Sequence, residues 1–310
     1  MKKPENAPLR FASLSDAHRA FGLPHPVHPL ISLLNSSSSS TPAKAVSAHH
    51  SHVLSFYKIS YRPKLSSKLK YGQGYYDFDE GGLLFAAPGQ LVGSTEERDV
   101  RCGEYTLLIH PDFLASYPLA KKIRHYGFFT YATNEALHVS EAEKKLLLAL
   151  FQTMEAELAS RLDEFSQEVV VAQLELLLTY ANRFYKRQFL TRKAVHSDLL
   201  QQLEETLADC FRSESLLSRG IPTVQHLAQR LHVSPSYLSD MLRTLTGQSA
   251  QQHIHDKLIE QAKEQLATTA LSVSEVAYAL GFEHPQSFSR FFKTKTALSP
   301  LAFRQSFRHN

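Results

Sequence analysis

Residues 223–249, TVQHLAQRLHVSPSYLSDMLRTLTGQS, and residues 273–299, VSEVAYALGFEHPQSFSRFFKTKTALS, carry one pattern written twice. Leu227 lies over Val276 and Val233 over Phe282 at an offset of 49, whereas Leu238 over Phe288, Leu242 over Phe292 and Ser249 over Ser299 give 50. One added residue, Glu283, accounts for the change. A period of this length can signal a solenoid, but two copies are better read as a paired module.

Each copy sorts into a short helix, a turn and a second helix. In the first, Val224, Leu227, Ala228 and Leu231 form an apolar face, His232-Val233 turn the chain, and Ser234-Pro235 suit the N-cap and first helical positions. Tyr237, Leu238, Met241, Leu242 and Leu245 then point inward, and Ser236, Ser239, Asp240 and Arg243 occupy the opposite face at i, i+3, i+4 and i+7. In the second copy Val276, Ala277 and Leu280 bury, Gly281-Phe282 turn, and Pro285 opens a helix with Phe288, Phe291 and Phe292 inward. Its outer face offers Gln286, Ser287, Ser289, Arg290 and Lys293. Gln pairs with adenine, Arg with guanine, and hydroxyls with base edges or phosphates. One such face alone reads equally well as solvated surface. Two copies with the same turn and proline favour a DNA-binding pair. Between them Ser249 caps a helix to about Thr268 with Ile254, Leu258, Ala262 and Leu266 on one side, a rod that would set two recognition helices in successive major grooves about 34 Å apart. Ser299-Pro300 opens a closing helix whose Phe303 and Phe307 seal the core.

Charge agrees with this. The net +4 is uneven: from Gly220 onward nine Lys/Arg face six Asp/Glu, so most of the excess lies in the last 91 residues. A basic module suits a polyanionic partner. At 310 residues the chain is long enough for two domains. No apolar run reaches the ~20 residues of a membrane span, and the opening MKKPENAPLRFASLSD lacks the apolar segment of a signal peptide, so a cytoplasmic location is expected. Cys102 and Cys210 are too few and too far apart for a disulfide framework or thiolate metal site.

Upstream, Leu14–Phe21 predicts a short helix, and Val27–Leu34 a strand leading into the Ser-rich surface loop NSSSSSTPAKAVSAHHSH. Strands are expected near Val53–Tyr61, Gly74–Phe78, Gly82–Ala86 and Tyr105–His110, a spacing that predicts a small barrel or sandwich. Aromatic residues Phe56, Tyr57, Tyr61, Tyr75, Tyr76 and Phe78 either fill it or line a ligand mouth. After His110-Pro111 come helices: Ser140 and Glu143 form a capping box for one to about Leu162, a second runs from Ser166 to Phe189, and a third from Ser197 to Arg212. Part of the long apolar stripes is a candidate dimer interface.

With SPSYLSDMLRTLTGQS in the first unit, and VAYALGFEHPQSFSRFFK followed by SPLAFR in the second, the chain resembles AraC/XylS-family transcription regulators over about Ser218 to Arg308. The resemblance implies an α+β protein: residues 1–195 an effector-binding and dimerisation domain (cupin-like β-barrel 27–115, helices 116–190), residues 196–218 a linker helix region, and residues 219–310 an all-α double helix-turn-helix domain. It implies a bacterial DNA-binding activator that works with RNA polymerase as a homodimer under a small-molecule effector or dimer rearrangement, with no enzymatic activity, cofactor, metal or membrane partner. The family's base-facing places fall on Ser236, Ser239, Asp240, Gln286, Ser287 and Arg290, with phosphate contacts expected from Arg243, Lys293, Lys295 and Arg304. Three residues depart from the pattern. Asp240 stands where a basic or amide residue is common, and either accepts from a cytosine amino group or, preferably, pairs with Arg243. Ala297 stands where the family usually has Gly, and His284 where an N-capping acid or hydroxyl is more usual.

Two rival readings remain. One is a cupin-type metal-dependent enzyme or sensor with a DNA-binding tail, suggested by the HxH of His50 and His52; that pair sits in a Ser/Ala/Lys loop without a nearby Glu, which favours a surface cluster. The chain has no GxSxG, P-loop or dinucleotide fingerprint. The other is a ligand-free DNA-binding protein with an N-terminal interaction module. The ligand pocket, if any, is not assigned by the sequence.

Overall fold

A computed structural model describes residues 8–36, 52–63, 69–71, 74–76, 81–92, 104–132, 135–160, 163, 165–191, 193–212, 216 and 220–308. The chain divides into two compact units, Met1–Gln188 and Phe189–Asn310. The Ser-rich stretch with His50, the Asp79-Glu80 turn, Phe78 and Cys102 lie outside the described residues.

The N-terminal unit opens with β1 (Leu9–Phe11) and α1 (Leu14–Ala20), the latter capped by Ser13, whose hydroxyl accepts from the Asp16 amide. Strands follow as β2 (Ile31–Asn35), β3 (His52–Leu54), β4 (Tyr57–Arg62), β5 (Leu69–Tyr71), β6 (Gly74–Tyr76), β7 (Gly82–Ala86), β8 (Leu91–Val92), β9 (Tyr105–Ile109) and β10 (Leu137–His138). The main sheet runs β10-β7-β4-β9-β2, and every pair in it is antiparallel. One face carries Tyr57, Ile59, Tyr61, Leu83, Phe85, Tyr105, Leu107 and Ile109, all buried. It receives α3 (Glu141–Ala159) and α4 (Ser166–Thr191): Tyr105 stacks on Phe151 at 5.2 Å, and Phe85 approaches Tyr185 at 6.3 Å. On the other face Leu108 joins Phe11, Leu14, Ala17, Leu54 and Phe56, and the buried hydroxyls of Ser60 and Thr106 bond each other at 3.2 Å. The short helix α2 (Leu119–Lys122) precedes two 3-10 turns, Ile123–His125 and Gly127–Thr130.

The closed cupin-like barrel expected over residues 27–115 does not form among the described residues. The strands make the open five-stranded sheet, a separate β1-β3-β8 sheet and the β5-β6 hairpin. Two local features explain the difference. The single strand expected over Val53–Tyr61 breaks at Ser55-Phe56, so that β3 and β4 enter different sheets, with Phe56 fully buried at the break. And the outer edge of β10 is occupied by side chains of α4 instead of a strand. The Gln188 carboxamide accepts from the His138 amide (2.9 Å) and donates to the Ala136 carbonyl (3.3 Å), while Arg187 Nη2 donates to the His138 carbonyl (2.9 Å). The same guanidinium forks onto Glu143 at 2.6 and 3.2 Å. An edge whose polar groups are already used offers no template for another strand. At the start of the sheet, Val27 is 83% exposed and β2 begins only at Ile31, because Pro26 and Pro29 remove backbone donors. His52, expected in a surface loop, is the first residue of β3, with its ring 5.4 Å from that of Phe21.

Helix α3 has both arms of its capping box: the Glu143 amide donates to Ser140 Oγ (3.4 Å), and the Ser140 amide to Glu143 Oε2 (2.9 Å). Leu147, Phe151 and Met154 bury its inner stripe.

The C-terminal unit contains α5 (Lys193–Cys210), α6 (Val224–Arg230), α7 (Pro235–Thr246), α8 (Ala250–Thr268), α9 (Val273–Ala279), α10 (Pro285–Thr296) and α11 (Pro300–Arg308). The stretch expected as a linker, residues 196–218, includes most of α5, which packs within this unit. Leu199, Leu203, Leu207 and Cys210 are buried, and Asp209 pairs with Arg230 of α6 at 3.2 Å. Gln188 to Leu should leave the His138 amide and the Ala136 carbonyl without partners; a loss of about 1–3 kcal/mol is expected, read as a lower urea midpoint for the N-terminal unit.

Candidate nucleic-acid interface

The two helix-turn-helix units share one backbone plan. In α6 the Leu231 amide donates to the Leu227 carbonyl and the Val233 amide to the Ala228 carbonyl; after α9 the Leu280 and Phe282 amides donate to Val276 and Ala277 in the same way, all four at 3.0 Å. Each turn rests on one left-handed residue, His232 (φ 55°) and Gly281 (φ 82°). Only the second needs glycine for space, since a Cβ there would come within 3.2 Å of the Gly220 Cα and the Ile221 amide nitrogen. Glu283 is the extra residue between this turn and Pro285.

The entry caps differ. Ser234 Oγ accepts from the Tyr237 amide at 3.2 Å, whereas His284 makes no side-chain cap on α10. The exits agree: Gly247 (φ 76°) and Ala297 (φ 61°) are both left-handed, and their amides donate to the Arg243 and Lys293 carbonyls at 3.2 and 2.9 Å. Ala297 thus keeps the geometry expected of glycine at a strain of about 1–2 kcal/mol. Thr246 and Thr296 each donate to the carbonyl four residues back at 2.8 Å, completing the parallel.

Helix α8 joins the units. Ile254, Leu258, Ala262 and Leu266 are almost wholly buried, and a Ser249–Gln252 capping box fixes its start. Nineteen residues make a rod about 28 Å long. Tyr237, Leu238, Met241 and Leu242 bury the inner face of α7; Phe288 and Phe292 bury that of α10, with Phe282 and Phe303 packed edge-on against them at 5.4 and 5.5 Å.

Burial of those faces turns the expected reader residues outward. Gln286, Ser287, Arg290 and Lys293 are exposed on α10, along with Lys295 nearer its end. No ion pair or side-chain hydrogen bond engages Gln286, Arg290 or Lys293 among the described residues, so their donors are open to a ligand. On α7, Ser236, Ser239 and Asp240 are half-buried, and exposed Arg243 is held by Asp240 at 2.9 Å.

Arg304 does not belong with the expected phosphate contacts. It is 9% exposed, and its Nε donates to the Leu266 carbonyl at 3.1 Å, satisfying one of the orphan acceptors at the end of α8. Its phase carried the signal: Pro300, Phe303 and Arg304 lie at i, i+3 and i+4, the inner face of α11. His255 was also not anticipated. It sits on α8 against Phe291 of α10 (5.1 Å), and burial, then the Lys295 charge, lower its pKa.

A family model described as a helix-turn-helix domain matches residues 227–306. An uncharacterised HTH-type transcriptional regulator of Bacillus subtilis, YobQ, is 34% identical over 84 residues, which are 27% of this chain and 35% of that protein. The arabinose operon regulatory protein of Escherichia coli is 38% identical over 81 residues, 26% of this chain and 28% of that protein. A second B. subtilis regulator, YfiF, also uncharacterised, aligns over 260 residues at 22% identity, covering 83% of this chain and 79% of its own. The first two matches thus span only about a third of the relatives' lengths. The doubled turn, the buried faces beneath it and these matches identify residues 227–306 as a helix-turn-helix domain of the AraC/XylS family.

Proposed function

We propose that the protein is a sequence-specific DNA-binding transcription regulator of the bacterial cytoplasm, with α7 and α10 entering successive major grooves. The observation that carries this reading is the unoccupied polar face of α10, projected from a duplicated and rigidly braced unit. Gln286 and Arg290 suit bidentate contacts to adenine and guanine, and Ser287 a hydroxyl contact. Lys293 and Lys295 suit the flanking phosphates. Helix α7 offers Ser236 and Ser239, with Asp240 and Arg243 tied to each other, and so contributes mainly position on the backbone. Most of the base discrimination then comes from α10.

Residues 1–195 act as the regulatory part, through an effector or through dimerisation, and the bound protein assists RNA polymerase as an activator. For dimerisation the support is a seam that begins just before α4 and runs along it: Phe165, Val169 and Leu176 are 60, 39 and 44% exposed, and Ala172 lies between them. The steps of four, three and four residues are those of a coiled-coil contact. Charge along α4 favours an antiparallel second copy, with Glu168 toward its start and Arg183 and Lys186 toward its end, all exposed.

Three substitutions test these assignments. Arg290 to Ala should cost about 1–3 kcal/mol on the selected site and relax preference at one base position, measured by selection from random DNA and by titration. Lys293 to Ala should weaken all sequences alike and lower the salt slope by about 1. Leu176 to Glu should shift the protein to monomer in sedimentation, and an unchanged sedimentation profile would remove α4 from the interface.

A further inference from the structure

The N-terminal unit holds a cleft of about 360 Å³, lined in part by Tyr57, Pro88, Ile123, Arg124, Tyr126 and Phe129. Its walls come from four places in the chain: the start of β4, the residues after β7, Pro111 just after β9, and the paired 3-10 turns that follow α2. They are pinned together. Tyr57 meets Phe129 edge-on at 5.0 Å, and the Ala87 amide donates to the Phe129 carbonyl at 3.1 Å. Tyr57, Ile123 and Phe129 are almost fully buried, so the floor is apolar and preformed. Pockets of this kind, with apolar walls and a few placed polar groups, are the usual form of a small-molecule site, and about 360 Å³ is near the lower end of their range.

Polar groups are confined to the rim, and they are chiefly donors. Lys121, Lys122 and Arg124 give the segment a positive field. Lys122 is committed to Glu175 at 2.7 Å, and Asp112, beside the lining residue Pro111, is turned to His110 at 3.4 Å. Arg124 is exposed and has no carboxylate within ion-pair distance among the described residues. It does lie close to Tyr57: burial pushes the phenol pKa up, and the Arg124 charge pulls part of that back. The phenol therefore stays protonated at neutral pH and available to donate.

We propose that this cleft binds a small carboxylic acid carrying one aromatic ring, with the ring against Tyr126, Phe129 and Pro88 and the carboxylate received by Arg124 and the Tyr57 hydroxyl. The planar guanidinium fork matches a carboxylate in two parallel bonds, which an amide or a neutral ring cannot reproduce. The size of the cleft favours one ring over a long acyl chain. The proposal does not depend on the DNA-binding reading, because its test contains no DNA.

Full-length protein would be titrated calorimetrically with benzoate, phenylacetate, benzamide and inorganic phosphate. The two aryl acids should bind saturably, with benzamide and phosphate at least about tenfold weaker. Arg124 to Ala should weaken benzoate by about ten- to a hundredfold, and Tyr57 to Phe by about fivefold. Arg124 to Lys, which keeps the charge without the fork, should fall between wild type and Ala. Arg124 is exposed, so its replacement should leave the melting curve in place. Failure of both acids to bind at millimolar concentration, benzamide or phosphate matching benzoate, or an Arg124 to Ala protein with wild-type affinity would each overturn the assignment.

Discussion

Everything on the DNA-facing side depends on the burial of one stripe of α8, through Ile254, Leu258, Ala262 and Leu266. Helices of seven and twelve residues such as α6, α7, α9 and α10 are at or below the length at which helices hold their shape alone in water. They persist because their apolar faces close on this shared rod and its neighbours. The rod's own end is then secured by α11, through the bond from Arg304 to the Leu266 carbonyl. A cation that looks like a nucleic-acid contact is in this fold a structural donor, and its burial is tolerable because it caps a helix whose dipole favours positive charge.

The two units are built alike and equipped differently. The left-handed turn, the carbonyl bonds around it and the left-handed exit are common to both. The outer faces are not. On α7 an acid has taken the nearest arginine as its partner, which leaves hydroxyls and a neutralised pair. On α10 the amide and the cations have no such partner among the described residues. The poorer cap at His284 and the strained exit at Ala297 lie on this same helix, so the helix with the open polar face is also the less well terminated one. That is the expected distribution when local stability yields to what the exposed face must carry.

In the N-terminal unit the decisive contact is the capping of a strand edge by side chains. Gln188 and Arg187 use the backbone groups of β10 that would otherwise seek another strand. The sheet stays open, its face free to take α3 and α4. The aromatic cluster that results, with Phe128 between Phe85 and Tyr185, sets the back of the cleft beside Phe129.

The repeat was legible because it is local: offsets of 49 and 50, prolines at the first turn and apolar spacing at i, i+3 and i+4 depend only on residues near one another in the chain. The same holds for the capping box at Ser140 and for the strand Gly82–Ala86. Sheet closure was not legible, because it turns on a glutamine 50 residues from the strand it caps, and no period or composition announces such a pairing. The inward turn of Arg304 was masked for a related reason. Its helical phase pointed to the core while its charge pointed to solvent, and only the position of the Leu266 carbonyl, 38 residues away, decided between them. The sequence by itself determined which segments are helices, where they turn and which residues face outward from the repeat. The tertiary structure alone decided which edges and charges are already satisfied, since satisfaction depends on partners brought together across the chain.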